Sequence, residues 1–497
     1  MSGASVTIQL ALVSHTNNGK TTLARTLLGS DVGEVRDAAH VTTFAESHML
    51  MATPHGDRLL LWDTPGFGDS VRLMKRLAMT GNPIGWFLRE VLDRYRDRPF
   101  WLSQQALRAA RDEADVVLYL VNSTEVPGDA GYIPAEMRIL DWLGKPVLVL
   151  LNQMGPPRPL PDEKAELLRW KEFMLQFGQV REVLPLDAFA RCWVHEKVFY
   201  DALGALVGPA KQEGYERLFS VWEETNARRF KQSMSVLAQQ LADAAHDRQI
   251  VETVERGVIA SALKIIGIGK GEDRKRQDRA MNTLVARLNL AIGQATVNLL
   301  SLHRLDPSEA PKINARVSNN FVVLAPVDKG QAALLGAIVS GAATGFSADL
   351  AAGGLTLGTG ALLGGVIGAL TFAGAAWGFN VGMDREVPTI TLSDDFLRTL
   401  LVSGVLRYLA VAHFGRGRGN FVEGEAPPFW QQEVEQAVAL HETEITALWR
   451  TLREQEERDL APASAVLTAI TAHVLARLYP EGQAANPPSM LRPAPVT

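Results

Sequence analysis

A short run near the start of the chain has the residue types of a phosphate-binding loop. Its sequence, SHTNNGKT, fits the pattern G-x-x-x-x-G-K-[ST] except that Ser14 replaces the first glycine, which the loop tolerates if Ser14 has a negative φ. In such a loop the backbone N–H groups point at phosphate oxygens, and the positive end of the next helix adds attraction. The predicted nucleotide-binding residues of this loop are Ser14, His15, Thr16, Asn17, Asn18, Gly19, Lys20, Thr21 and Thr22.

Four of the residues nearby could act on a nucleoside triphosphate and its metal ion. Lys20 is predicted to reach the β- and γ-phosphates, and the Thr21 hydroxyl is predicted to bind Mg²⁺. The sequence Asp-Thr-Pro-Gly at positions 63–66 is a D-x-x-G motif. In this motif Asp63 would hold Mg²⁺ through a water, and the Gly66 amide would contact the γ-phosphate. Lys20 and Gly66 are therefore candidate catalytic residues.

Apolar runs of strand length precede these motifs and must position them. The runs are Ile8–Val13, Arg58–Trp62, Val116–Asn122 and Pro146–Asn152, with amphipathic stretches between them. Short runs rich in Val, Leu and Ile are typical of buried parallel strands, and this alternation predicts an α/β, doubly wound domain. In that architecture functional loops lie at the carboxyl ends of the strands, which is where the motifs begin.

Composition sets limits on the class of protein. Hydrophobic residues make up 47% and charged residues 21% of the 497-residue chain, which is typical of a folded protein of several domains. The net charge of −5 gives no sign of a global nucleic-acid binder. The single cysteine, Cys192, cannot form an intramolecular disulfide, as suits a reducing cytosol. The first apolar run lacks a preceding basic region and is expected to be a strand and not a secretion signal.

Residues 1–205 resemble the Era-like GTPases, the TrmE–Era–EngA–septin group. The resemblance rests on the run from Leu59 to Phe67, LLLWDTPGF, and on Asn17 in the phosphate loop. It implies a P-loop G domain that binds GTP and GDP, and a GTP-hydrolysing enzyme that requires Mg²⁺. The whole chain also resembles an uncharacterised bacterial group in which such a GTPase carries a C-terminal domain of unknown function.

The resemblance also suggests positions for the switch and for the base. A switch I threonine would be Thr42 or Thr43, with Thr43 preferred as a catalytic residue and Mg²⁺ ligand. The family pattern N-K-x-D corresponds to Asn152-Gln153-Met154-Gly155, so Asn152 and Gln153 are expected at the base while Gly155 replaces the aspartate. Losing that charged acceptor should cost about 1.5–3 kcal/mol of guanine binding. A last base contact is expected from the Ala188 amide.

Catalysis by this chain must differ from that of Ras-like enzymes. Their water-orienting glutamine corresponds to Phe67, and a phenyl ring cannot orient water. Some Era-like relatives use K⁺ in place of an arginine finger, with Asn17 at the matching position. Asn17 is therefore either a K⁺ ligand or an ordinary loop asparagine. Residues 70–112 form either an extra helix or a surface for an effector or a homodimer.

The remainder of the chain is predicted to be mainly helical, with helical periodicity at Tyr215–Asp243 and Trp430–Leu460. The predicted divisions are a G domain at 1–205, a helical domain at 206–329, a glycine-rich hydrophobic hairpin at 330–385, a helical region at 386–480 and a disordered tail at 481–497. Between Lys329 and Asp384 the only charged residue is Asp349, and glycine recurs at four-residue spacing, which lets two helices pack closely as a glycine zipper.

This hairpin has three interpretations: insertion into a membrane, conditional exposure, or burial in a soluble core. Its second uncharged stretch, Gly354–Phe379, is 26 residues long, and about 20 suffice for a span. The leading hypothesis is a GTP-binding, GTP-hydrolysing switch that couples nucleotide state to a membrane-associated helical domain, in the cytoplasm at the inner membrane. The alternatives are a dynamin-like membrane remodeller and a ribosome- or RNA-associated Era-like factor, although no specific nucleic-acid binding is predicted.

Overall fold

The computed structural model describes residues 4–15, 18–28, 46–64, 67, 107–108, 110–155, 158–186, 192–250, 270–311, 313–314, 377–380, 389–413, 428–454 and 459–480. The chain divides into two compact units. The first comprises Met1–Arg228, Ala412–Pro427 and Leu475–Thr497, and the second comprises Arg229–Val411 and Pro428–Val474. The divisions predicted from the sequence stay predictions.

A six-stranded sheet forms the centre of the first unit. Its strands are β1 (Thr7–Ser14), β2 (Glu46–Ala52), β3 (Arg58–Asp63), β4 (Val116–Asn122), β5 (Val147–Asn152) and β6 (Val180–Pro185). Their order across the sheet is β2-β3-β1-β4-β5-β6, and all neighbours are parallel except the β2–β3 pair. The predicted α/β class is confirmed, with the central strands at the predicted apolar runs.

Burial on both faces explains why those runs form strands. In β4, alternate residues belong to different cores: Val117, Tyr119 and Val121 to one, and Leu118 and Leu120 to the other. Side chains alternate across a strand, so each strand contributes to the layers on both faces of the sheet. A strand that is apolar at every position satisfies both layers.

Helices cover the two faces. The helices of the G-domain region are α1 (Lys20–Leu28), α2 (Ile133–Leu143), α3 (Leu160–Met174) and α4 (Trp193–Gly204). The α2 helix has Pro134 in its first turn, where no backbone donor is needed, and ends at Gly144 with φ of 67°. Side chains of α2 and α3 pack in one core, and those of α1 and α4 pack in the other.

The rest of the described chain is mainly helical. Its helices are α5 (Gln212–His246), α6 (Lys270–Leu302), α7 (Asp394–His413), α8 (Pro428–Leu440), α9 (Glu442–Glu454) and α10 (Ala461–Leu478). The helical periodicity at Tyr215–Asp243 corresponds to α5. The stretch Trp430–Leu460 contains two helices, α8 and α9, because the chain turns at His441.

Residues from the far end of the chain belong to the first unit. The Tyr479 hydroxyl lies 2.6 Å from His413 Nε2. The Tyr479 ring also packs edge-on against His195 of α4, with centroids 4.3 Å apart. His195 Nδ1 in turn accepts a hydrogen bond from the backbone N–H of Cys192, the residue that caps α4. This unit is therefore completed by three separate stretches of sequence.

A small antiparallel sheet lies in the second unit, within the part of the chain that was predicted to be mainly helical. Its strands, β7 (Arg248–Ile250), β8 (Trp377–Asn380) and β9 (Thr389–Leu392), have the order β7-β9-β8. Strand β8 occupies the end of the glycine-rich segment, so these four residues are extended and not part of a helical hairpin. The glycine zipper predicted for the rest of that segment lies outside the described residues.

Two described helices are long and apolar enough to cross a membrane by length and composition alone: Asp394–His413 and Ala461–Leu478. The apolar window of the first is 83% buried within the protein. It also contains Arg407, whose Nη1 donates to Gln240 Oε1 at 3.1 Å in the second unit. Burial lowers the pKa of Arg407 to about 10. Helix α7 therefore has the packing of a core helix.

A buried carboxylate fastens the edge of the central sheet in the first unit. Asp57 is fully buried and accepts hydrogen bonds from the Val6 N–H at 3.0 Å and the Thr53 hydroxyl at 2.9 Å. The Arg217 guanidinium of α5 adds contacts of 2.8 and 2.9 Å to its two oxygens. The hydrogen bond from Arg217 holds the pKa of Asp57 well below its usual range.

We predict that Asp57→Asn destabilises the first unit by about 2 kcal/mol at pH 7, because charge-assisted hydrogen bonds are lost. Because the folded-state pKa is depressed, the contribution of Asp57 is present above its unfolded pKa of about 4 and declines as the pH falls below it. The measurement is the free energy of unfolding in urea, monitored by the fluorescence of the first unit at several pH values between 3 and 8. The difference between wild type and variant should shrink below about pH 4.

The matched control is Glu213→Gln, which removes the other acidic partner of Arg217. Glu213 contacts Arg217 Nη1 at 2.8 Å, but its side chain is 79% exposed. An exposed pair of this kind contributes little to stability, so the control should unfold like the wild type. Equal destabilisation by the two substitutions would contradict the assignment of Asp57 as the anchoring group.

Candidate functional site

The predicted motifs lie together at one edge of the central sheet. Strands β1, β3 and β5 end at Ser14, Asp63 and Asn152. In the parallel registers Leu12 pairs with Asp63, and Asn122 pairs with Asn152. Because the carboxyl ends of parallel strands meet at the same edge, these motifs form one site, as expected for this architecture.

Gly19 and Asn152 join the phosphate loop to residues 152–155, called the base loop. Asn152 is 1% exposed, and its Nδ2 donates to the Asn18 carbonyl oxygen at 2.9 Å. Gly19 has φ of +85°, and a Cβ atom there would lie 2.7 Å from Asn152 Nδ2. Only glycine fits this position, because a side chain would meet both backbone strain and a fixed amide group.

Ser14 and Lys20 are in contact at the start of the loop. Ser14 is not among the described non-glycine residues with positive φ, which is the condition for replacing the usual glycine. Lys20 Nζ donates to the Ser14 hydroxyl at 3.1 Å. Burial lowers the pKa of Lys20, and the Asp63 carboxylate opposes that effect. The serine thus provides an acceptor for the ammonium group that is predicted to bind phosphates.

The two described candidate Mg²⁺ ligands are adjacent. The Thr21 hydroxyl donates to Asp63 Oδ2 at 3.1 Å. Hydroxyl and carboxylate oxygens are the ligand types that Mg²⁺ prefers, together with waters and phosphate oxygens. The next residue, Thr64, fixes the end of β3 because its hydroxyl donates to the Leu12 carbonyl oxygen at 2.8 Å.

Phe67 is part of the protein core. Its ring is 1% exposed, and its N–H donates to the Ser14 carbonyl oxygen at 2.9 Å. It also forms an isolated parallel bridge with His15. The position that carries glutamine in Ras-like enzymes therefore provides packing here and no polar group for an attacking water.

The base loop has an unusual backbone. Gln153 has φ of 59° and Gly155 has φ of 78°, so both lie in the left-handed region. A Cβ atom at Gly155 would have no heavy atom within 4 Å. The family aspartate is thus absent from a position that has room for a side chain but a backbone that L-residues seldom adopt.

A cluster of acidic and aromatic residues behind the phosphate loop was missed by sequence reasoning. Glu136 of α2 has a fully buried side chain. Its Oε1 accepts from His15 Nδ1 at 2.7 Å, and its Oε2 accepts from the Tyr119 hydroxyl at 2.6 Å. Burial raises the pKa of Glu136, and the hydrogen bond to Glu136 raises the pKa of His15. An acidic residue in an amphipathic helix gives no sequence signal of this role.

Five of the predicted site residues lie outside the described residues: Thr16, Asn17, Thr43, Gly66 and Ala188. Their roles stay predictions. The structure brings together the other predicted residues, which are Ser14, His15, Asn18, Gly19, Lys20, Thr21, Thr22, Asp63, Asn152 and Gln153. The extra segment expected at 70–112 also lies almost wholly outside the described residues.

Comparisons with known proteins give two family matches along the chain. The family model described as 50S ribosome-binding GTPase matches residues 9–153, and the model described as domain of unknown function DUF3482 matches residues 175–478. A comparison with curated protein sequences found no significant match.

Solved structures of GTPases are similar at low identity. A variant of Aquifex aeolicus Era bound to GDP and aluminium fluoride is 17% identical and has a TM-score of 0.28, with 58% of this chain and 90% of that chain covered. Era in complex with MgGDPNP and a segment of 16S ribosomal RNA is 18% identical, with a TM-score of 0.27 and coverage of 57% and 90%. A probable GTP-binding protein engB is 15% identical, with a TM-score of 0.23 and coverage of 44% and 99%.

TM-scores this low add nothing to the assignment, which rests on the two family models and on the motifs at the sheet edge. The DUF3482 model alone covers more than half of the chain. The chain therefore belongs to the DUF3482 family, and it joins that domain to an N-terminal P-loop GTPase domain.

Proposed function

We propose that the chain is a Mg²⁺-dependent GTP-hydrolysing switch that couples its nucleotide state to the DUF3482 domain at a membrane surface. The observation that carries the nucleotide part is the close packing of the phosphate loop. A Cβ atom at Gly19 would meet the Asn152 amide, so this position needs glycine, and Lys20 Nζ contacts the Ser14 hydroxyl at the start of the loop. A tight glycine-containing loop with an ammonium group beside it is the arrangement that binds phosphate oxygens.

The residues present fit a Mg²⁺–nucleotide complex. Lys20 would bind the β- and γ-phosphates. Thr21 and Asp63 would hold the metal ion, because the Thr21 hydroxyl oxygen and Asp63 Oδ2 already lie side by side. Bound Mg²⁺ supplies charge stabilisation to the phosphates. The chain itself orients the phosphates through the loop amides and keeps the site in place through β1, β3 and β5.

The base is read without the usual carboxylate. Asn152 is committed to the Asn18 carbonyl oxygen, and Gly155 has no side chain. A missing charged acceptor weakens guanine selectivity by roughly tenfold or more. GTP is therefore proposed as the preferred substrate, with a smaller margin over ATP than the family pattern provides.

We predict that the purified protein binds fluorescent GTP more tightly than ATP or XTP, and that Lys20→Ala weakens GTP binding by about 100-fold through loss of a charged phosphate contact. Fluorescence titration with Mg²⁺ present measures both effects. Equal affinity for GTP and ATP would make the protein a general nucleotide hydrolase.

The control for that experiment is Lys211→Ala. Lys211 Nζ contacts Asp115 at 2.7 Å and the Thr7 carbonyl oxygen at 2.8 Å, at the amino end of β1 and so away from the phosphate loop. The Lys211→Ala substitution removes one positive charge, as Lys20→Ala does, but at a distance from the site. Nucleotide affinity should therefore be unchanged. Absence of GTP binding by wild type would sink the proposal.

Hydrolysis is proposed to use K⁺ bound with the help of Asn17, since Phe67 cannot orient water. A cation there would act as an arginine finger does, an effect worth factors of 10³–10⁵ in GTPases. We predict that kcat is at least about tenfold higher in KCl than in NaCl or choline chloride at equal ionic strength. Asn17→Ala should abolish the difference while GTP binding persists. Equal rates in the three salts would refute the role of K⁺.

The membrane part of the proposal is supported by sequence. Only Asp349 is charged between Lys329 and Asp384, and basic residues flank that segment, as suits contact with an inner membrane from the cytoplasm. A second candidate, a ribosome-associated factor, is favoured by the description of the model that matches residues 9–153.

We predict that the full chain floats with phosphatidylethanolamine–phosphatidylglycerol vesicles in a density gradient, and that a non-hydrolysable GTP analogue changes the floating fraction. The Lys20→Ala variant is the control, because it should float but not respond to the analogue. Protein that stays at the bottom of the gradient but co-sediments with 50S ribosomal subunits would replace the membrane proposal with the ribosomal one.

A further inference from the structure

The phosphate loop is held at two separate points on the described chain. At its far end the Asn18 carbonyl oxygen accepts from Asn152. At its near end the His15 imidazole reaches away from the loop and donates from Nδ1 to the Glu136 carboxylate of α2, at 2.7 Å. The first point belongs to the base loop, whereas the second belongs to no motif of the G domain.

The Glu136 carboxylate is fully committed to this contact. Its side chain has no exposed surface, so both oxygens must be satisfied within the protein. Oε1 accepts from His15 and Oε2 accepts from the Tyr119 hydroxyl at 2.6 Å. Tyr119 lies on β4, beside β1 in the sheet, and is itself fully buried. The position of Glu136 is therefore fixed by the sheet.

The His15 ring is held by a stacking contact on its face as well as by the hydrogen bond from Nδ1 to Glu136. It stacks on Tyr132 with ring centroids 4.1 Å apart and an angle of 19° between the planes. The Tyr132 hydroxyl donates to Glu125 Oε2 at 2.6 Å, so this ring is also held. The His15 backbone forms the bridge with Phe67 next to the D-x-x-G motif. One residue thus connects the loop, α2 and the segment after β3.

We propose that Glu136 is a positioning residue for nucleotide binding, which holds the phosphate loop through the His15 imidazole in the conformation that the phosphates require. This inference rests on the proposed function. Preorganised donors bind more tightly because the loop loses less conformational freedom when the ligand arrives. Glu136 itself touches neither phosphate nor metal, and its effect passes through His15.

The test measures the affinity of the full-length chain for a non-hydrolysable GTP analogue with Mg²⁺, at one pH, in a double-mutant cycle. We expect Glu136→Ala, His15→Ala and the double variant each to weaken binding by about tenfold, because all three release the same end of the loop. We expect Glu136→Gln to stay within about threefold of wild type, because the amide oxygen still accepts from His15.

Stability is separated from positioning by two further variants. Asp57→Asn also removes a buried carboxylate of the same sheet, but at the amino end of β3, so it should lower stability and leave affinity unchanged. Tyr119→Phe keeps the core ring and should weaken binding by about threefold through the freed carboxylate, so it still tests the proposal if Glu136→Ala fails to fold. All affinities are measured below the unfolding transition of each variant.

Each outcome decides the proposal. Additive losses of about 100-fold in the double variant, or unchanged binding in Glu136→Ala and Tyr119→Phe, would overturn the positioning role while GTP binding by wild type leaves the proposed function intact. If Asp57→Asn and Glu136→Ala lose equal affinity, the loss results from general destabilisation, and the positioning role of Glu136 is overturned. Wild type that binds no analogue would overturn both proposals together.

Discussion

The close approach of the Asn152 amide to the phosphate loop at Gly19 is the constraint on which the nucleotide site depends. It requires glycine at one position and asparagine at another, on loops separated by more than a hundred residues. It can form only if β1, β4 and β5 are adjacent and parallel, so that their carboxyl ends coincide. The apolar strands serve this geometry, because burial of both faces fixes their register and hence the distance between the two loops.

The sequence was informative wherever one residue type had a unique physical role. Strand β4, Val116–Asn122, could be predicted to the residue because its first six side chains are apolar and all of them are buried. Gly19 and Lys20 could be predicted because phosphate binding permits few alternatives. The edge strand β2 is less apparent, since polar residues such as Glu46 and Ser47 interrupt its apolar character.

Other features could not be predicted because their cause lies in distant partners. Glu136 looks like a solvent-exposed position until Tyr119 and His15 are brought to it. Strands β7 and β8 are three and four residues long and are separated by more than a hundred residues. Neither side-chain periodicity nor closeness in sequence therefore predicts that they form a sheet. Arg407 likewise interrupts the apolar pattern of its helix in the sequence. In the structure Gln240 accepts a hydrogen bond from it.

The participation of Tyr479 in the first unit has a consequence for how the chain folds during synthesis. Translation proceeds at about 5–20 residues per second, and domains ordinarily fold as they leave the ribosome. Here the strands of the nucleotide-binding sheet emerge early, but His413 and Tyr479, which pack with His195, emerge only after most of the DUF3482 domain. The GTPase unit therefore reaches its final packing late, only after the segment that carries Tyr479 has been synthesised.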